Sequence, residues 1–352
     1  MEPILKYYTI SDLKNWLLHN QCIEGLSDKI IAPQRACAII NNPYVKNDDP
    51  VLCAIFENDT PVAYTAAFPD WLENEKRVIW WFSTLYCHPS VQGKGYGLIV
   101  IGQLCKLIGE GNYFDMDGAE ETISIFNYLG LTTQYISRYV FTDKNINCSS
   151  LKGMLAYVLN RVNQWQCGIH RKKILHKIAK NYYTLRYMSY VDDTTYRFIV
   201  DHATNDVFVR SQTMLNWIIS YPFMQASPLI NRVDRTLEFA SEVKSYTLQT
   251  VQVWKHNKLV GVFMYRMMNG LFALKYLYYE HDFMQDVFEA IAEHIISLKA
   301  QSIQTIDRTF AQWLKPLMLT SKYIEERQSF SFPDWFETKD KSIQLGDGDV
   351  FV

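Results

Sequence analysis

The sequence predicts an α/β protein, with mixed β-sheets flanked by helices, laid out as two halves of one plan. Three observations carry this. Apolar runs of strand length alternate with runs of helical period along the chain. A glycine-rich turn, Gln92–Gly97, joins a long apolar strand to an apolar helix. The order of elements over residues 1–145 recurs over residues 182–352 without any short sequence repeat, which points to two diverged copies of one unit.

In the first half, Ile4–Thr9 reads as a strand and Ser11 as the cap of a helix ending near Asn20, because a serine oxygen satisfies the free N–H groups of a helix start. Val51–Glu57 and Val62–Phe68 form a hairpin about the turn Asn58–Pro61. Asp70–Lys76 reads as a charged loop. Arg77–Cys87 is apolar on both faces, as expected of a central strand. After the glycine turn, Leu98, Ile99, Ile101, Leu104, Cys105 and Ile108 recur at helical spacing up to Gly109. Tyr113–Asp117 is a strand, Glu120–Leu129 a helix stopped by Gly130, and Thr132–Phe141 a further strand.

Residues 146–181 are rich in Lys, Arg and His and read as a helical basic linker. Beyond it, strands are expected at Tyr183–Tyr190, Tyr246–Lys255, Leu259–Met267, Leu271–Glu280 and Ser302–Asp307. Helices are expected at Thr194–Ala203, Asp282–Leu298 and Arg308–Leu314.

Composition narrows the class. Of 352 residues, 48% are hydrophobic and 20% charged, as in a packed globular protein, and a formal net charge of −2 gives no electrostatic footprint for nucleic acid. Seven cysteines are scattered with no CxxC pair, which reads as buried thiols in a reducing cytoplasm. Cys167 and His170 lack a second pair at metal spacing, so no metal is expected. No apolar run reaches the ~18 residues of a membrane span, and the N-terminus lacks a signal-peptide pattern. A cytoplasmic protein, monomer or homodimer, is the expectation.

The turn at Gln92–Gly97 has the context of an anion site. Glycine lets the backbone approach a phosphate, and the free N–H groups and dipole of a helix start favour negative charge. Its glycines stand at 93, 95 and 97, and neither GxxxxGK[ST] nor GxGxxG is present, so a mononucleotide P-loop and a Rossmann site both fit poorly. Together with the preceding Cys87-His88-Pro89-Ser90-Val91, the segment Gln92-Gly93-Lys94-Gly95-Tyr96-Gly97 resembles the acetyl-CoA loop of the GNAT family of N-acetyltransferases, [QR]-x-x-G-x-[GA]. The resemblance implies two GNAT-like domains in tandem, the first binding acetyl-CoA without a metal.

It further implies roles for residues. Gln92, Gly93, Lys94, Gly95, Tyr96 and Gly97 would hold the CoA pyrophosphate, chiefly through backbone N–H groups. Leu85, Tyr86 and Cys87, at the end of a splayed central strand, would pair with the pantetheine and polarise the thioester carbonyl. The family often places a tyrosine four residues before the glycine that ends the last helix, as the acid for the departing thiolate. Here that position is Phe126, which has no proton to give, and Tyr128 lies about 200° around the helix. Tyr128, a water or another tyrosine are the candidates for the acid.

Asp117 is the first candidate base, with Asp115, Glu73 and Glu75 behind it, each also readable as a solvated carboxylate. His88 reads as a strand-end residue. Trp71, Trp80 and Trp81 would wall an acceptor pocket or fill a core. The second half has Glu280-His281-Asp282-Phe283-Met284-Gln285-Asp286 where the loop should be, without glycine and with three acids, so it should not bind CoA and is expected to shape the acceptor cleft. The expected activity is acetyl transfer to an amine of a small polar acceptor such as an amino sugar. A non-catalytic CoA-binding protein and a Fem-type aminoacyl transferase are the alternatives.

Overall fold

The computed structural model describes residues 2–109, 111–143, 162, 165–176, 183–227 and 241–348. Chain order begins with β1 (Ile4–Thr9), α1 (Ile10–His19), α2 (Pro33–Ile40), β2 (Pro50–Glu57), β3 (Thr60–Leu72) and β4 (Arg77–Cys87). It continues with α3 (Tyr96–Ile108), β5 (Tyr113–Met116), α4 (Glu120–Tyr128) and β6 (Leu131–Thr142). A helix at residues 165–176 (α5) follows, then β7 (Thr184–Met188), α6 (Asp193–His202), α7 (Gln212–Ser220), and the short strands β8 (Gln225–Ala226) and β9 (Glu242–Val243). The last elements are β10 (Tyr246–Lys255), β11 (Lys258–Met268), β12 (Leu271–Tyr279), α8 (Met284–Ser297), β13 (Ser302–Thr305), α9 (Arg308–Leu314) and β14 (Lys322–Pro333).

Twelve strands join in one sheet, in the order β1-β2-β3-β4-β5-β14-β6-β13-β12-β11-β10-β7. The order is a mirror about the β14–β6 pair. On each side a short strand lies beside that pair (β5, β13) and runs parallel to the next strand out (β4, β12), beyond which lies an antiparallel hairpin partner (β3, β11). The two halves share this sheet, because their last strands are interleaved. β14, from the end of the chain, pairs with β5 at Asp115 and Met116 and with β6 along its full length, Lys322 opposite Thr142 through Pro333 opposite Leu131. β6 in turn pairs with β13. A boundary at residue 145 therefore does not separate two sheets.

Local chemistry accounts for most of the elements. α1 starts two residues earlier than Ser11 predicts, because Thr9 and Asp12 form a capping box: the Thr9 side chain accepts from the Asp12 N–H and the Asp12 carboxylate accepts from the Thr9 N–H. β3 runs on through Asp70, Trp71 and Leu72, which the sequence reading gave to a loop. Asp70 stays inside because Arg210 pairs with it at 2.9 Å and the Trp81 indole donates to it at 3.1 Å. Proline at the first helical position starts α2, which sequence reading missed. Of the basic linker, residues 165–176 are helical and hold the Leu319 carbonyl through Arg171 at 2.6–2.9 Å; the rest lies outside the described residues. Cys22 is exposed, so not every thiol is buried.

Alternation divides the first half of the sheet into two faces. Phe82 packs on Phe126 of α4 with ring centroids 5.1 Å apart. Its neighbour Trp81 faces the other way, onto Phe208 at 4.9 Å. Phe68 continues that second face against Trp217 of α7. Trp80 and Trp81 are both buried, so they serve the core.

Candidate active site

β4 contains one residue more than β3 can pair: Thr84 lies opposite Ala66 and Phe82 opposite Ala67, leaving Ser83 as a bulge. At that bulge β4 leaves β5. The two strands pair only at Trp80 with Tyr113 and Trp81 with Phe114. From Leu85 to Cys87, β4 keeps β3 on one side, through Thr65, Tyr64 and Ala63, and has no strand on the other among the described residues. Unpaired backbone N–H and C=O groups on such an edge seek a partner.

A cavity of about 530 Å³ opens where the strands part, within the size range of small-molecule sites. Phe82–Leu85 and Met116–Ala119 form its first wall. Arg266, Lys275 and Gln304, from β11, β12 and β13, and Gln328 of β14 close it from the other half of the sheet.

At the far end of the open edge lies the glycine loop. His88 accepts from the Ser90 N–H and opens a single 3₁₀ turn, Pro89–Val91, while its own N–H donates to Val62 O at 2.8 Å. Gly93 and Gly95 both have positive φ, 81° and 78°, with open space where a side chain would stand. Gly95 is the residue before α3, and the first bond of that helix runs from Ile99 N–H to Gly95 O at 3.1 Å. The amides of Tyr96, Gly97 and Leu98 precede that bond and point out of the helix start. Gly97 is needed for packing, since a Cβ there would meet Cys87 Sγ at 3.3 Å. Lys94 and Tyr96 both reach Glu57, at 3.4 and 2.7 Å, so the lysine ammonium is held beside the loop by a carboxylate. From Phe82 to Cys87 the edge spans about 17 Å at ~3.3 Å per residue. It therefore links cavity to loop as one track.

The carboxylates expected to act as base are arranged unequally. Asp117, with φ 64°, lines the cavity and is ion-paired to Arg138 at 2.5 Å. Asp115, one strand residue before Met116, is buried with Oδ2 unpartnered. Burial, with the Asp117 charge adding, pushes its carboxyl up to about 7. It lies directly behind Gly118 of the cavity wall, where an added Cβ would stand 2.5 Å from Oδ2. Glu73 is paired with Lys76 in the β3–β4 turn, and neither Glu73 nor Glu75 lines the cavity. Trp71 stacks on Tyr44, also away from the cavity.

Tyr128 lies on the protein surface. α4 stays regular to its end, with the Leu129 N–H donating to Ile125 O at 3.0 Å, and the Tyr128 side chain is 78% exposed. Phe126 occupies the inward position, fully buried.

Sequence reading missed Asp347. This residue is 1% exposed and lines the cavity between two glycines near the end of the described chain. Burial holds its carboxyl well above the ordinary carboxylate range, against the opposing effect of Arg210. A Gly-Asp-Gly segment without periodicity offers no local signal of such placement.

In comparisons with known proteins, residues 19–114 match the acetyltransferase (GNAT) family. None of the curated proteins compared with the chain matches it. Among solved structures, the chain is similar to a GCN5-related N-acetyltransferase from Kribbella flavida, at 12% identity over 94% of this chain and 71% of that one, with a TM-score of 0.46. It is similar to another from Anabaena variabilis, at 10% identity over 93% and 72%, TM-score 0.45. A third is the N-myristoyltransferase of Saccharomyces cerevisiae with bound myristoyl-CoA, at 9% identity over 93% and 77%, TM-score 0.49. Among the described residues no helix is long and apolar enough to cross a membrane.

Proposed function

From a chain whose residues 19–114 carry a GNAT acetyltransferase domain, we propose an enzyme that moves an acetyl group from acetyl-CoA to the amine of a small polar acceptor, an amino sugar being one such molecule. The observation that carries this reading is the continuous track from the glycine loop, along the open edge of β4, into the 530 Å³ cavity. The N–H groups of Gly93, Gly95, Tyr96 and Gly97 receive the pyrophosphate, as Gln92 and Lys94 flank it. Leu85–Cys87 supply strand partners for the pantetheine amides. The thioester then lies at the Ser83 bulge, where an N–H of β4 polarises its carbonyl. The acceptor enters from the side walled by β11–β13 and β14, which gives the second half of the chain its role.

Acetyl-CoA with a panel of primary amines, followed by thiol release, tests this. Tight binding in calorimetry with no thiol released from any amine would remove the catalytic part. One observation favours that second reading, a CoA-binding protein without turnover: the inward position on α4 is Phe126, and Tyr128 is on the surface. The Phe126→Tyr variant separates the two readings, since it should add activity only to a site that lacks a donor for the thiolate.

A further inference from the structure

The cavity holds two buried oxygens with no partner among the described residues, Asp347 Oδ1 and Gln328 Oε1. Both residues are nearly inaccessible, at 1% and 3%. An unmade hydrogen bond at a buried acceptor costs roughly 1–3 kcal/mol, so two of them on residues that line one cavity call for a donor there. The backbone around Asp347 is held in place. Gly346 N–H donates to Lys275 O at 2.7 Å, and the Tyr276 hydroxyl donates to Gly346 O at 2.7 Å. Gly346 admits no side chain, because a Cβ would stand 2.2 Å from the Tyr276 ring. On the other side Arg210 donates to Gly348 O at 2.8 Å, and Gly348 has φ 80°. The second carboxylate oxygen of Asp347 accepts from Gln344 N–H at 2.8 Å, while Oδ1 has no partner among the described residues.

We propose that Asp347 seats the acceptor's ammonium in this cavity and takes its proton, with Gln328 Oε1 as the second acceptor. The assignment rests on the acyltransferase reading and names a residue that reading lacks. In the step, the Asp347 carboxylate removes one proton from R–NH3⁺. The nitrogen lone pair attacks the thioester carbonyl carbon, the C–N bond forms and the C–S bond breaks. The second nitrogen proton passes to the thiolate, giving the amide and CoA thiol, and Asp347 returns its proton to solvent. The charged groups around Asp347 are Arg210, Asp206 and Asp70, with Arg266, Lys275, Arg138 and Asp117 lining the same cavity. A carboxyl held high among them is matched to an amine better than an ordinary surface carboxylate would be.

The test compares wild type with Asp347→Asn, using acetyl-CoA with benzylamine and with glucosamine across a pH series. Loss of a general base costs on the order of 100-fold or more. kcat/KM should fall by that factor at neutral pH, with acetyl-CoA affinity unchanged, and the deficit should narrow as pH approaches the amine's own pKa. A deficit constant with pH, or activity within a few-fold of wild type, overturns the assignment. If Asp347→Asn does not fold, Gln328→Met should raise KM for the amine with little change in kcat, and an unchanged KM overturns it equally. A wild type that binds acetyl-CoA and acylates no amine removes the acyltransferase reading and this assignment together. Turnover by wild type with a pH-independent deficit removes this assignment alone.

Discussion

β4 and β12 hold mirror positions in the sheet, and each passes the chain to a long helix over a short turn. Their backbones agree in detail. Each strand carries a one-residue bulge, Ser83 and Lys275. Each is followed by an N–H that returns to a valine carbonyl, His88 to Val62 at 2.8 Å and Glu280 to Val260 at 3.0 Å. They part at the turn. The first reaches its helix through Gly93 and Gly95 at positive φ, whereas the second uses Phe283 at φ −109° and no glycine. Two of the three acids of the second turn are tied to lysines, Glu280 to Lys258 at 2.6 Å and Asp286 to Lys255 at 2.5 Å. Their open edges differ too. From Leu85 to Cys87 that of β4 has no strand beside it among the described residues, whereas on β12 the Lys275 carbonyl takes Gly346 N–H and the Leu277 carbonyl faces Gln344. The frame is set by strand pairing, which both halves keep. The ligand chemistry is set by a few residues and by what lies along the edge, and there the halves differ.

Breaking the cover on the second edge should have the largest effect. Arg210→Met removes the partner of buried Asp70 and the donor to Gly348. A loss of about 3–5 kcal/mol in urea unfolding is expected from the stranded charge.

Next comes the carboxyl behind the first edge. Asp115 is held up to about 7 from an ordinary 3.8. A raised folded-state pKa stabilises fully below the unfolded value and loses that contribution as pH climbs through the folded value. Asp115→Asn should therefore match wild type in acid and exceed it by up to about 4 kcal/mol at pH 8, read as a difference in unfolding free energy at the two pH values.

Gly95→Val places a β-branched residue at φ 78°. Acetyl-CoA affinity should drop about 100-fold, near 2.7 kcal/mol, in calorimetry. Asp282→Ala in the second turn should leave it unchanged, and equal losses in both variants would erase the contrast between the turns. The smallest effect belongs to Lys94→Ala, at most a few-fold in the same titration, because its exposed ammonium is already shared with Glu57.

What could be read from the chain follows from how local each requirement is. Gly93 and Gly95 announce themselves because positive φ beside a helix start needs that residue type whatever surrounds it. The Arg77–Cys87 strand was legible because both of its faces are apolar. β14 was not: Glu325, Glu326 and Arg327 interrupt its first half, and its buried second half, from Gln328 to Pro333, is too short to stand out. Asp70 was hidden for a different reason. Asp70 is tolerated inside β3 only through Arg210, a partner 140 residues away by subtraction of their numbers. Asp347 is placed in large part by such distant contacts of its flanking glycines, with Tyr276, Lys275 and Arg210.

The interleaved centre of the sheet also bears on the order in which the molecule is built. Asp115 pairs with Ser331, and Phe141 has Tyr323 on one side and Ile303 on the other. A nascent chain that has just left the ribosome through β6 has therefore made the glycine loop but not the neighbour of β5. Until Lys322–Pro333 emerges, the inner flank of β5 stays a bare template for other strands, and the cavity lacks both Gln328 and Asp347. The cavity is complete only once Lys322–Asp347 has been made, so termination before β14 should yield an aggregation-prone fragment rather than a smaller folded unit.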